Sequence, residues 1–437
     1  MPITPRTYKG MRDHLPEAMR LRRFINDTII AVMEQYGFEP LATPIIEYTE
    51  TLAGKIGEEE KLLFRLQFGD DQIALRYDQT VPLARVIAQY ESKITLPFKR
   101  YALGQSFRGE RQQRGRYREF WQLDADIVGV DSPIADAEII AIVSHSLAAL
   151  GFTGAKVLIN HREILSGLAR VAGVGDDAAG GVYRAIDKLD KIGPDGVRGE
   201  LHKSGISEQA ADQILSFVSI DGDVEQVLAA MERVLGGDDL AGAAVRNLRD
   251  ITAILPHLGV DPKTYSVSPS LARGLAYYTG CVFEAVLDSP PMGSLMGGGR
   301  YDNLVGTFSK RSLPTVGLAF GIERLHDLMT ELNMGPREER TIDAYVTVFN
   351  ADLLAESLRL ATELRAAGFA VLTAYATPKL TNQFKEADRK AARYALVLGP
   401  DDLAAGVVQL KDLRSGQQQA IARNAIIGAM RAQQGNV

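Results

Sequence analysis

The stretch from Phe107 to Asp126 constrains this chain more than any other. Residues 98–103 ahead of it and 119–128 at its end alternate as strands do, and the residues between read as a loop. Seven Lys or Arg fall between Lys99 and Arg118 (99, 100, 108, 111, 114, 116 and 118), against one acid, Glu110. A solvated basic hairpin is the plain alternative. Two polar residues downstream weigh against it. Gln122 and Asp126 share one face of a strand that is otherwise largely apolar, which points them into a site rather than into water. Guanidinium forks match phosphate oxygens in one plane, so this loop suits a phosphate-bearing ligand.

Phe107-Arg108-Gly109-Glu110, then Gly115 to Phe120, then Gln122-Leu123-Asp124-Ala125-Asp126 resembles motif 2 of class II aminoacyl-tRNA synthetases, in its histidyl-tRNA synthetase version. The resemblance implies that Arg108 holds the amino-acid carboxylate and the α-phosphate of ATP. It implies that Glu110 reads the adenine amino group, that Phe120 stacks on the base and that Arg116 holds outer phosphates. Gln122 is expected beside the α-amino group or ring of histidine, and Asp126 at an imidazole nitrogen.

With 437 residues, two or three domains are expected. A single cysteine, Cys281, excludes a disulfide framework and a Cys-x-x-Cys zinc site, and the six histidines lack metal-ligand spacing. No apolar run is long enough to cross a membrane and none reads as a signal peptide, so a cytoplasmic, reducing compartment is expected. The net charge of −6 argues against general nucleic-acid coating and restricts any RNA contact to local patches.

In chain order, residues 8–16 form a turn-rich lead-in similar to the family's opening. A helix is predicted over 17–36, with Ile25, Ile29, Val32 and Tyr36 at helical spacing and Gly37 as its stop. Residues 38–46 predict a strand at a sheet edge, because it contains Pro44. Helix and strand resemble motif 1, which implies a homodimer interface. At residues 75–82 a strand ends in Asp78 and Thr80 before a helix that runs through Arg85. Asp78 fits a helix cap; by resemblance, Asp78 and Thr80 also accept hydrogen bonds from the α-ammonium of histidine. A strand leading into a helix is read at 154–168, and residues 171–256 read as several helices with polar breaks, an inserted helical domain.

Residues 270–284 resemble the histidine-specific motif. The resemblance places Arg273 at the carboxylate and α-phosphate as a fixed cation, and Tyr277 and Tyr278 around the imidazole. Ala276 stands where the family usually has an acid. The glycine run 297–299 permits close backbone approach. Residues 314–325 resemble motif 3, a strand passing into a helix with Arg324 in its first turns. A cation there opposes the helix dipole unless an anion binds, so Arg324 is expected at the outer phosphates.

Beyond a charged linker at 336–340, the pattern turns to βαβ and resembles the anticodon-binding domain of the histidyl, glycyl, threonyl and prolyl enzymes. Residues 341–437 carry 11 Lys/Arg against 9 Asp/Glu, so local positions such as Gln383, Lys385 and Arg389 are expected to engage unpaired bases.

The expected fold is therefore α+β. A class II antiparallel-sheet catalytic domain occupies 1–170 and 257–335, with the helical insertion at 171–256 and an α/β anticodon-binding domain at 341–437. The resemblance implies ATP-dependent ligation of L-histidine to tRNA(His) through histidyl adenylate. Arg108 and Arg273 are the expected catalytic residues. ATP brings its own Mg2+, and no protein-held metal is expected. One rival is the non-catalytic, histidyl-synthetase-like regulatory subunit of ATP phosphoribosyltransferase, which generally lacks the C-terminal domain. Another is a glycyl or prolyl enzyme, disfavoured by the Arg-Gly-Leu-x-Tyr-Tyr-Thr-Gly stretch.

Overall fold

The arginine-rich loop joins the two longest strands of an eight-stranded sheet. Phe98–Phe107 and Glu119–Val128 pair antiparallel along their whole length, from Phe98 opposite Val128 to Phe107 opposite Glu119. The structure is a computed structural model describing residues 3–55, 57–272, 277–287, 289–290, 293–336, 342–375 and 379–434. It divides into two compact units, Met1–Gly335 and Pro336–Val437.

In the first unit the sheet runs in the order Glu39–Pro40, Phe98–Phe107, Glu119–Val128, Thr315–Gly321, Met296–Arg300, Cys281–Leu287, Ala155–His161, Tyr265–Val267. The two outermost pairs are parallel and the five inner pairings antiparallel. The helix Pro133–Ala149 lies against it. That helix is apolar on nearly every side, as a helix buried on all faces must be, and Ile139, Ile140, Ile142 and Val143 are wholly enclosed.

Two expectations are corrected here. Residues 38–46 are not one strand. Glu39–Pro40 pairs at the edge of the large sheet, while Ile46–Tyr48 belongs to a separate three-stranded sheet with Arg65–Phe68 and Asp71–Leu75. Pro40 and Pro44 lack amide hydrogens, so a continuous ladder through this stretch is not available. The helix Pro16–Gln35 forms as predicted, but its apolar face (Ile25, Ile29, Val32, Met33) is buried within the same chain, packed with the helices Pro133–Ala149 and Ile322–Glu331. It is not a free surface for a second copy. Four exposed apolar side chains lie together on the small sheet. Ile46, Tyr48, Leu66 and Phe68 share one face through the Tyr48–Ile73 and Leu66–Ile73 pairings.

Residues 171–256 are helical: Asp176–Ile186, Leu189–Lys203, Glu208–Val218, Val224–Leu235 and Asp239–Ile254. Three of these begin at side-chain caps, Ser207, Asp223 and Asp238. Their apolar faces join the core that underlies the large sheet, so Val182, Met231 and Leu248 belong to the same cluster as Ile159 and Leu318.

The second unit carries a five-stranded sheet in the order Val371–Thr373, Ile342–Val346, Ala392–Val397, Val407–Asp412, Gln418–Ala422. The first three strands are parallel, as βαβ connections require, and the last two antiparallel. Gln383 is corrected as a base-contacting residue. It is fully buried, accepting from Val348 N at 2.9 Å and donating to Val348 O at 2.8 Å, and so braces its own fold. Lys385 and Arg389 do line an open hollow of the same helix, with Asn382 and Asp388. No helix among the described residues is long and apolar enough to cross a membrane.

Candidate active site

Two adjoining pockets lie on one face of the large sheet. The outer one is lined by Arg108, Glu110, Arg116, Phe120, Gln122, Glu323 and Arg324, among others. The deeper one is lined by Asp78, Thr80, Gln122, Asp126, Tyr277 and Tyr278, and by Arg184, Lys188 and Lys191 of the helical stretch. Arg108, Arg116 and Gln122 border both. The fold therefore brings together expected residues of motif 2, motif 3, the 75–82 segment and the Tyr277–Tyr278 pair, from four separate parts of the chain. Arg273 lies outside the described residues, as do Gly274 to Ala276.

In the outer pocket Arg108 is clamped between aromatic rings, its guanidinium carbon 4.2 Å from the centre of Tyr77 and 5.0 Å from that of Phe120. Its Nε donates to Tyr77 O at 3.3 Å. These contacts fix direction while leaving donors over for a ligand. Glu110 and Arg116 form an ion pair at 3.3 Å, with half of the Arg116 side chain exposed, so the pair is loose. Arg324 stands in the first turn of Ile322–Glu331 and donates to Ser294 O.

Glu323, which sequence reading passed over, anchors this pocket from below. Its carboxylate accepts from Arg22 at 2.7 and 2.8 Å, from Arg12 at 2.7 Å and from Trp121 N at 3.2 Å. Burial pushes its carboxyl up, but the Arg22 hydrogen bond and charge outweigh that and hold it low.

The deeper pocket has acids for a floor. Asp78, one residue before the N-cap Gln79, accepts from Thr80 N at 3.1 Å and Val81 N at 3.0 Å, the first two amides of the helix Thr80–Gln89, and so does the work of a cap. Its other oxygen faces Tyr277 OH at 3.4 Å. Asp126 is ion-paired with Arg100 at 2.5 Å and accepts a hydrogen bond from Tyr301 OH. Burial raises the carboxyl pKa of both Asp78 and Asp126, against the opposing pull of hydrogen bonds and of Arg108 or Arg100. Tyr277, Tyr278 and Tyr301 stack edge-on, with ring centres 5.0, 5.6 and 6.5 Å apart, and burial raises each phenol.

Two glycines make this floor possible. A Cβ at Gly317 would overlap Asp126 Oδ1, and one at Gly104 would overlap the Arg76 guanidinium where it crosses the sheet. Arg76 in turn donates to Gln105 O at 2.6 Å and Thr43 O at 3.1 Å. Arg76, Arg100, Asp124 and Tyr301 were missed as site residues. The alternation that selects Gln122 and Asp126 also selects Asp124 between them. Arg100 is found only through strand register, because it sits opposite Asp126. Chemically, the arrangement offers a cationic, aromatic cleft suited to a nucleotide beside a buried acid-and-tyrosine pocket suited to an ammonium and a polar ring.

A family model of histidyl-tRNA synthetase matches residues 10–325, and one of the anticodon binding domain matches residues 343–433. The histidine–tRNA ligase of Wolinella succinogenes is 41% identical, over 95% of this chain and 96% of its own length. That of Aeropyrum pernix is 39% identical, over 95% of each. The crystal structure of histidyl-tRNA synthetase from Nostoc sp. PCC 7120, 32% identical, superposes with a TM-score of 0.88 and covers 99% of this chain and all of its own. Matched along nearly its whole length, the chain belongs to the histidyl-tRNA synthetase family.

Proposed function

We propose that the protein ligates L-histidine to tRNA(His) using ATP, through a histidyl-adenylate intermediate. The observation that carries this reading is the meeting of the two pockets at Arg108 and Gln122. The carboxylate of an amino acid held by the acid floor and the α-phosphate of a nucleotide in the outer cleft would share the Arg108 guanidinium.

In the first step the histidine carboxylate attacks the α-phosphorus in line and pyrophosphate leaves. Arg108 faces the charge that builds on the α-phosphate, joined from the family resemblance by Arg273. Preorganised cations of this kind are the main catalytic device for such a step. Arg116 and Arg324 hold the outer phosphates, Glu110 turns from Arg116 to the adenine amino group, and Phe120 stacks on the base. Magnesium would come with ATP and would offset the charge of its outer phosphates. Asp78, Thr80 and Gln122 hold the ammonium, while Asp126 and Tyr278 engage the imidazole nitrogens. An apolar side chain there would leave those buried groups unpaired, which is the source of selectivity. In the second step a hydroxyl of the terminal adenosine of tRNA attacks the anhydride carbonyl and AMP leaves.

The roles of the parts follow. Residues 1–170 and 257–335 carry the chemistry, and 171–256 act as an insertion bordering the deeper pocket. Residues 341–437 read the anticodon, with Lys385 and Arg389 at an exposed hollow. The protein works in the cytoplasm as a homodimer, and the apolar face of Ile46, Tyr48, Leu66 and Phe68 is the surface a second copy would cover. The anticodon-domain match counts against the regulatory-subunit alternative.

ATP–pyrophosphate exchange, measured with each free amino acid in turn, tests the reading. Histidine alone should support exchange, and tRNA(His) should then be charged. Exchange with glycine or proline, or with no amino acid at all, overturns it.

A further inference from the structure

Among the described residues, Asp124 is the acid of the floor whose two oxygens both lack a hydrogen-bond partner, although the residue is 1% exposed. It lies midway along Glu119–Val128, on the same face as Gln122 and Asp126, between Ala102 and Ala319 of the flanking strands. The small alanines leave it under the turn that carries Gln79, whose amide spans Ala102 O at 3.2 Å and Gln122 O at 3.1 Å. The charged and titratable groups around it are Arg100 from the neighbouring strand, Asp126 from its own, Asp78 and Arg76 from the segment above, and Tyr278. Arg108 stands further out at the pocket mouth, where it faces Asp78.

Among the described residues, Arg100 and Arg76 are the cations that act on Asp124, against the like charges of Asp126 and Asp78, while Arg108 acts on Asp78. Asp78 has two backbone donors and Asp126 has Arg100 and Tyr301. Asp124 has neither, so of the three it is the carboxyl that most favours its proton in the empty pocket. Burial, reinforced by Asp126 and Asp78 and opposed by Arg100, pushes its carboxyl up to about 8. Resting on the functional reading above, the substrate carboxylate draws Arg108 to itself, and the substrate ammonium arrives beside Asp78, placing a cation within the acid layer.

We propose that Asp124 is a proton-linked positioning residue for the amino-acid substrate, releasing its proton to solvent as the substrate ammonium settles beside Asp78. The step is E–COOH plus a bound ammonium giving E–COO⁻ with the ammonium and one H⁺ in water. Ionised Asp124 then strengthens the hold on Arg100 and steadies Asp126 in its place on the pocket floor.

Calorimetric titration of the full-length protein with L-histidine at pH 7.5, in phosphate and in Tris, reads this directly, since the two buffers differ in protonation enthalpy. The wild type should release roughly 0.5–0.8 proton per histidine bound, more than the ~0.1 that the imidazole of free histidine could contribute at that pH. Asp124→Asn and Asp124→Ser should still bind histidine, more weakly, with the release reduced to that small remainder. A purely structural aspartate would alter affinity without altering the proton count. A wild-type release of ~0.1 or less, or an unchanged release in either folded variant, overturns the proposal. If neither variant folds, the pH dependence of the wild type decides. Release from Asp124 falls between about pH 7 and 9, whereas release from imidazole falls between about pH 5.5 and 7.5 and would contradict it. If histidine neither binds nor supports pyrophosphate exchange, the functional reading fails with it; binding without proton release defeats this proposal alone.

Discussion

The outer cleft and the pocket floor are both built from arginine and acid, yet they solve opposite problems. In the cleft, Arg116 is half exposed and only loosely paired with Glu110, at 3.3 Å. In the floor, the side chains of Arg100 and Asp126 are 1% and 3% exposed and in contact at 2.5 Å. An exposed pair is weak and easily exchanged for a ligand. A buried pair is strongly coupled, and removing one member leaves an uncompensated charge. On the proposed reading, the cleft thus keeps Arg116 loosely enough held to be recruited by a polyanion that arrives with its own metal. The floor keeps its charges committed, so that only a ligand completing the pattern fits. On the same reading, the same residue types would give capture in one place and discrimination in the other, with burial deciding which.

The largest expected effect is at Arg108, one of the residues that border both regions. Arg108→Ala should lower the rate of histidine-dependent pyrophosphate exchange about 100- to 1,000-fold, the usual loss of a preorganised donor to developing charge. A loss under tenfold would mean that the two pockets do not meet there. Next comes the floor. Asp126→Asn strands Arg100, and should cut kcat/KM for histidine about 100-fold while destabilising the fold by about 3 kcal/mol in denaturant titration. Smaller again is Gly317→Ala, whose methyl must displace the Asp126 carboxylate. Overpacking of about 1–3 kcal/mol should raise the histidine KM around tenfold and leave the ATP KM alone.

The smallest effect concerns pH. Asp124 binds its proton more tightly folded than unfolded, so the stability it contributes is whole below about pH 4 and is lost as pH rises through about 8. Asp124→Asn has no such loss. Relative to the wild type without ligand, the variant should gain at least about 1 kcal/mol between pH 6 and pH 9. A pH-independent difference between the two would remove Asp124 from the ionisable floor.

The two regions also differ in how well they could be read beforehand. The cleft was legible because its residues are dense in one loop and its neighbours sit in contiguous motifs. Arg108, Glu110, Arg116 and Phe120 come from one hairpin, and Arg324 from the next apolar strand and helix. The hairpin itself was legible because long alternating strands leave few alternatives. The floor was half legible. Asp78, Gln122, Asp126, Tyr277 and Tyr278 could be named from motifs, but not what holds them. Arg100 depends on a register of 10 residue pairs across the hairpin, and Arg76 on a crossing permitted by Gly104. Neither leaves a local trace. The split of 38–46 between two sheets and the burial of Gln383 were missed for the same reason: both are settled by partners far along the chain.

The account stands most directly on a crossed pair of variants. Arg116→Ala and Asp126→Asn are each assayed for the KM of ATP and of histidine in pyrophosphate exchange. With the cleft taking the nucleotide and the floor taking the amino acid, Arg116→Ala should raise the ATP KM about tenfold or more and move the histidine KM less than about threefold. Asp126→Asn should show the reverse pattern. If either variant moves both constants together, the two pockets are one undivided site, and the division drawn between capture and discrimination is wrong.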